Sequence, residues 1–158
     1  MDNLNLPPIN PRIKKEGART YIFDPIRKTW VVLTPEEWVR QHIISYLVEE
    51  KDFPASLIQI EKGHKFSVGA RRTDAVAYGK NGTPLMVIEC KAATVQITQQ
   101  TIEQIAHYNI VIKAPLLLVT NGLVHLGYHI DFKNGKIEAL ESIPNYSEMN
   151  VYSEQGRI

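Results

Sequence analysis

Arg71-Arg-Thr-Asp-Ala-Val-Ala-Tyr-Gly79, Lys80-Asn-Gly-Thr83 and Pro84-Leu-Met-Val-Ile-Glu-Cys-Lys91 form the stretch that decides the fold. Two runs rich in strand-forming residues flank an Asn-Gly pair, the strongest short-range signal for a β-hairpin. If Asn81 and Gly82 are the two central turn residues, opposed positions have numbers summing to 163, and Asp74 then faces Glu89 across the ladder. Cβ atoms so placed lie roughly 4.5–5.5 Å apart, and like charges at that distance repel. The neighbours Leu85, Met86, Val87 and Ile88 describe a buried strand, where two bare carboxylates are costly. A divalent cation between them would remove the conflict. Lys91 projects from the same face as Glu89, whereas Ile88 and Cys90 face the other way. Arg72 would oppose Lys91 in the same register, where it either touches a phosphate or is a solvated edge charge.

Around this hairpin the sequence alternates strand and helix. Thr20 to Phe23 and Lys28 to Leu33 are short β-rich runs separated by the turn pair Asp24-Pro25, an N-terminal hairpin. Thr34-Pro35-Glu36-Glu37 is a helix start, with Thr as N-cap, Pro at the first helical position and Glu37 placed to close a capping box. The helix is expected over about 35–51, with Val39, Ile43, Tyr46 and Leu47 as its buried stripe. Residues 56–61 read as a strand. Thr98 to Ile112 reads as a second helix, Pro115 to Thr120 as a fully apolar strand, and Asn121-Gly122 as the turn into a strand from Leu123 to Phe132. The tail has little periodicity. The first nineteen residues, with three prolines and four cations, read as an irregular arm, and residues 20–158 as a single domain. The order predicts an α/β fold whose mixed sheet is flanked by helices.

Composition sets the bounds. The chain has 158 residues, 18 Lys+Arg against 17 Asp+Glu, 44% hydrophobic residues and one Cys. That suits one globular domain with a core that needs no disulfide. No run approaches the roughly 20 apolar residues of a membrane span, and together with the lone Cys this gives a cytoplasmic expectation. The net charge of +1 gives no bulk argument for nucleic acid. His42, His64, His107, His125 and His129 lack zinc-ligand spacing with a second Cys, and Cys90 reads as a small buried strand residue. Trp30 and Trp38 are expected to pack on one another near the hairpin and helix junction, and His125 and His129 to share a strand face.

Asp74 followed by Glu89-Cys90-Lys91 resembles the D…(D/E)xK core of the PD-(D/E)XK nucleases. More closely, Thr34-Pro-Glu-Glu-Trp-Val-Arg-Gln41, Arg72-Thr-Asp74, Val87-Ile-Glu-Cys-Lys-Ala92, Gln104-x-x-x-Tyr108 and Val119-Thr-Asn-Gly122, taken in order, resemble the N-terminal nuclease domain of type I restriction enzyme R subunits. The resemblance spans about residues 20 to 130 and implies a restriction-endonuclease-like core. It also implies Mg²⁺, with Mn²⁺ as a substitute, held by Asp74, Glu89 and the backbone carbonyl of Cys90. Lys91 would orient or deprotonate the attacking water. Family members carry an acid on the first helix, for which Glu36 and Glu37 compete. The capping box accounts for Glu37, so Glu36, seven residues before Ile43 on the core stripe, is preferred. Gln104 and Tyr108 match a Q-x-x-x-Y element of RecB-type nucleases that faces the substrate backbone.

The implied activity is hydrolysis of DNA phosphodiester bonds. The implied partners are DNA and restriction-modification or motor subunits, with a homo-oligomer open and no membrane. Thr73 stands where the family's usual Pro would be. No GxxxxGK[ST] phosphate loop is present, so this chain alone is not expected to translocate DNA. Two alternatives stand beside the enzyme: an idle nuclease-fold module that binds DNA or a complex, and a structural domain with an exposed carboxylate pair.

Overall fold

The computed structural model describes residues 1–60 and 73–155. It is a mixed α/β arrangement with two sheets. An antiparallel three-stranded sheet comprises β1 (Ile13–Glu16), β2 (Arg19–Asp24) and β3 (Thr29–Val32). Helix α1 (Pro35–Glu50) and a short 3-10 turn (Ala55–Leu57) lead into the main sheet. Its strands β4 (Ile58–Ile60), β5 (Ala75–Tyr78), β6 (Pro84–Cys90), β7 (Leu116–Thr120), β8 (His125–Asp131) and β9 (Lys136–Ala139) lie side by side in chain order. Helix α2 (Gln99–Ile112) joins β6 to β7, and α3 (Met149–Gln155) closes the described chain.

Only β6 and β7 run parallel, as a helical crossover requires; every other neighbouring pair is antiparallel. Both central strands are buried on both faces, which explains their unbroken apolar sequence. On one face Val39, Ile43 and Leu47 of α1 meet Ala75, Met86, Ile88 and Leu118. On the other, Ile105 of α2 meets Val76, Val87 and Val119. Thr34 caps α1 by accepting the Glu37 N–H at 3.0 Å. The capping box goes no further, because the Glu37 carboxylate is taken by Arg27, Arg40 and Gln41.

The central hairpin keeps the expected register by an unexpected route. The bend is a three-residue loop, closed by Gly79 N–H donating to Thr83 O at 2.8 Å, with Gly82 at φ +77. A left-handed residue there suits Gly, which has no Cβ to clash. That loop alone would displace the pairing by one residue. A second irregularity between Ala77 and Tyr78 restores it, so Ala77 faces Met86, Val76 faces Val87 and Ala75 faces Ile88.

Several expectations are corrected. Part of the arm over 1–19 is ordered as β1, because Lys14 and Lys15 pair with Tyr21 and Thr20 through backbone bonds that need no apolar pattern. The same holds for β9, whose four residues are all exposed and which is held by its ladder to β8. The strand expected over 56–61 is a 3-10 turn followed by β4, and Glu61 lies outside the described residues. Trp30 and Trp38 take other partners: Trp30 packs edge-on to Phe23 and Trp38 to His42, at 5.5 and 4.3 Å between ring centroids.

Candidate active site

The antiparallel ladder between β5 and β6 stops at Ala75 and Ile88, one residue short of the two acids. Beyond it, the Asp74 N–H still donates to Ile88 O at 3.2 Å. The Asp74 carboxylate, rather than a carbonyl, accepts the Cys90 N–H at 2.6 Å. A side chain thus completes the sheet's bonding and fixes its own position. Glu89 alternates with Val87 onto the face covered by α2, while Cys90 packs with Ile88 towards α1. Lys91 lies just past the strand end, where its N–H donates to Thr120 O at 2.8 Å. Its ammonium donates to Glu89 Oε1 at 3.1 Å. Asn121, whose amide donates to Val95 O at 2.9 Å, holds the segment that follows Lys91.

Burial sets the electrostatics. Glu89 is 8% exposed, and its carboxyl is pushed up to about 7, first by loss of solvent and then by repulsion from Asp74; Lys91 pulls the other way. Asp74 is pushed up to about 6 by burial, although the Cys90 N–H opposes the rise. Lys91 moves upward despite partial burial, because Glu89 and the neighbouring acids favour its charged form. The Cys90 thiol is driven well above its ordinary value by burial and the adjacent carboxylates, and so has no nucleophilic character. The arrangement is two proton-hungry carboxyl groups beside one ammonium.

The first helix resolves its two acids into different environments. Glu36 is exposed, contrary to its placement on the core stripe. Its charge nonetheless raises both Asp74 and Glu89. Glu37 is buried at 4% inside an ion network with Arg27 and Arg40, and Arg27 also grips Asp24 at 2.5 Å. Arg40 is the residue that reading the sequence missed. Its guanidinium bonds to Glu37 while its charge draws Asp74 down. The clue was available: Arg40 falls one helical turn after Glu36 and Glu37, on the side of α1 that carries them.

Gln104 is exposed and Tyr108 half-buried on α2, the helix that covers the Glu89 face. No contact links either to Asp74, Glu89 or Lys91 among the described residues. Arg72 lies outside the described residues. Among the described residues, no group of three or more His, Cys, Asp or Glu side chains is gathered as a metal cage. The donors here are hard carboxylate oxygens of Asp74 and Glu89, the ligand type that suits a hard divalent cation.

A mixed α/β sheet with a buried glutamate, a half-buried aspartate and a lysine at the end of its central hairpin is the class that this geometry defines. Residues 35–144 match the family described as Type I restriction enzyme R protein N terminus (HSDR_N), and the chain belongs to that family. No curated protein and no solved structure matches it. Among the described residues, no helix is long and apolar enough to cross a membrane.

Proposed function

We propose that this chain is a metal-dependent DNA endonuclease domain of the PD-(D/E)XK type, acting beside restriction-modification or motor subunits. The observation that carries the reading is the pair of buried Glu89 and half-buried Asp74, both with raised affinity for protons at one end of the sheet, with the Lys91 ammonium on Glu89. Two carboxyls that repel each other where solvent is scarce are costly to ionise. They are well suited to a hard divalent cation, whose charge reverses the repulsion.

Asp74, Glu89 and the Cys90 carbonyl would hold Mg²⁺ or Mn²⁺, which when bound supplies Lewis acidity at the scissile phosphate and a water of lowered pKa. Asp74 is braced for that role by the Cys90 N–H. Lys91 orients the attacking water and neutralises charge that develops on the phosphate. Glu36, exposed at the rim, is the third acid, and Arg40 is a positioning residue that sets the charge balance around Asp74. Gln104, Tyr108 and Arg72 contact the DNA backbone.

The test is nicking of supercoiled, linear and single-stranded DNA in Mg²⁺ by the wild type and by Lys91→Ala. Cleavage by the first and not the second is expected. Equal cleavage by both would discard Lys91's role. Binding without cleavage by the wild type would make the chain an idle DNA-binding module.

A further inference from the structure

The three-stranded sheet precedes the residues that match the family and takes no part in the carboxylate site. Its register puts Lys14 opposite Tyr21, Tyr21 opposite Val32 and Phe23 opposite Trp30. Ile22 and Asp24 are buried, so alternation turns Tyr21 and Phe23 outward. One face thus carries three half-buried aromatic rings and two cations. The Arg12 guanidinium lies 4.3 Å from the Phe23 ring centroid and 5.5 Å from that of Trp30. The Lys14 ammonium lies 4.7 Å from the Trp30 centroid and 5.8 Å from that of Tyr21. Phe23 and Trp30 meet edge to face at 69°, and both remain partly exposed.

Charge points the same way. Between Arg12 and Val32 the sequence has six basic and two acidic residues, in a chain whose net charge is +1. One of those acids, Asp24, is consumed by Arg27, and the other, Glu16, pairs with Lys14 at 2.6 Å. Arg19, on the same face as Tyr21, and Lys28, in the turn after β2, are exposed. Rings interleaved with cations are the chemistry that recognises unpaired nucleotides, with bases stacking on aromatics and phosphates meeting ammonium and guanidinium groups. A duplex keeps its base faces stacked internally and could use only the cations.

We infer that the outer face of the β1–β3 sheet is a docking platform for single-stranded DNA, built on Tyr21, Phe23 and Trp30 with Arg12 and Lys14. That the strand is DNA rests on the nuclease reading above; the platform itself does not use the carboxylates. The full chain carrying Asp74→Asn, in EDTA, is titrated by fluorescence anisotropy against labelled oligo(dT), an abasic oligonucleotide of the same length and a blunt duplex. Oligo(dT) should bind at least tenfold more tightly than the abasic strand or the duplex. Trp30→Ala should lose roughly tenfold or more for oligo(dT) alone, and Trp30→Phe should retain most of the affinity.

Arg12→Gln with Lys14→Gln, both on the surface, should weaken both single strands and reduce the salt slope by about 0.7 per lost phosphate contact. Equal binding of oligo(dT) and the abasic strand would reduce the face to a basic patch and overturn the proposal. So would preference for the duplex, or unchanged binding in the double Gln variant. Base-dependent binding by a chain that cleaves nothing in Mg²⁺ would remove the nuclease reading and keep the platform. Cleavage without base-dependent binding would do the reverse.

Discussion

Replacing Glu89 with Gln should stabilise the metal-free protein above neutral pH, which is unusual for a buried charged residue with an ammonium partner. Carrying a carboxyl from 4.5 to about 7 means that ionising it in the fold costs about 3 kcal/mol. Part of that cost is repulsion from Asp74, and the Lys91 bond is lost in the variant, so about 1–2 kcal/mol should be recovered at pH 8. For a chain of this size that is a rise of roughly 2–8 °C in Tm. The sign follows from linkage. Because the folded carboxyl binds its proton more tightly than the unfolded one, wild-type stability is full below about 4.5 and falls as pH rises through about 7. The gain from Gln should therefore be present at pH 8 and vanish by pH 5. Differential scanning calorimetry of both proteins in EDTA across that range measures it. Equal destabilisation by Glu89→Gln at both pH values would mean that the Lys91 ion pair outweighs burial and repulsion, and the argument for a strained acid pair would fail.

Five further outcomes rest on the same structure. Mg²⁺ or Mn²⁺ should raise the wild-type Tm, by about 2.7 kcal/mol of added stability at a hundredfold excess over Kd, and leave Asp74→Ala unmoved in the same titration. Lys91→Ala should reduce plasmid nicking by about a hundredfold or more with circular dichroism unchanged. Glu37→Ala should cost about 3–5 kcal/mol in urea unfolding, because it leaves Arg40 without its buried partner and Arg27 with Asp24 alone. Glu36→Ala, exposed, should change stability by less than about 0.5 kcal/mol while lowering cleavage. Asn109→Ala should cost about 1–3 kcal/mol in the same unfolding assay, since its amide both donates to Ala114 O at 2.7 Å and accepts the Ala114 N–H at 3.0 Å.

What could be read in advance was whatever the local pattern controls. The apolar run in β6, the Asn-Gly bend and the Thr34 cap each act through near neighbours, so strands, turn and helix start were visible. The register was also legible, although its route was not, because the irregularity between Ala77 and Tyr78 leaves no mark in the local sequence pattern. Strands β1 and β9 were invisible for a different reason. They are held by ladder bonds between backbones and bury little, so hydrophobic periodicity passes over them. The choice between Glu36 and Glu37 rested on helical spacing from Ile43; the stripe of Val39, Ile43 and Leu47 is buried as expected, but Glu36, in the first turn, is exposed. Glu37's burial depends on Arg27, ten residues away on the turn after β2. Asp74 and Glu89 stood out in the sequence because their oddity is chemical: two acids at opposed positions of an apolar hairpin ask for an explanation that composition alone does not supply, and in the structure the charge of Asp74 raises the cost of ionising Glu89.

The account depends most on a cation meeting Asp74 and Glu89 together. Anomalous diffraction from crystals soaked in Mn²⁺ tests it directly. A peak within ligand distance of Asp74 and Glu89 is the predicted result. A map with no peak there at millimolar Mn²⁺, and with the Lys91 to Glu89 bond intact, would contradict it.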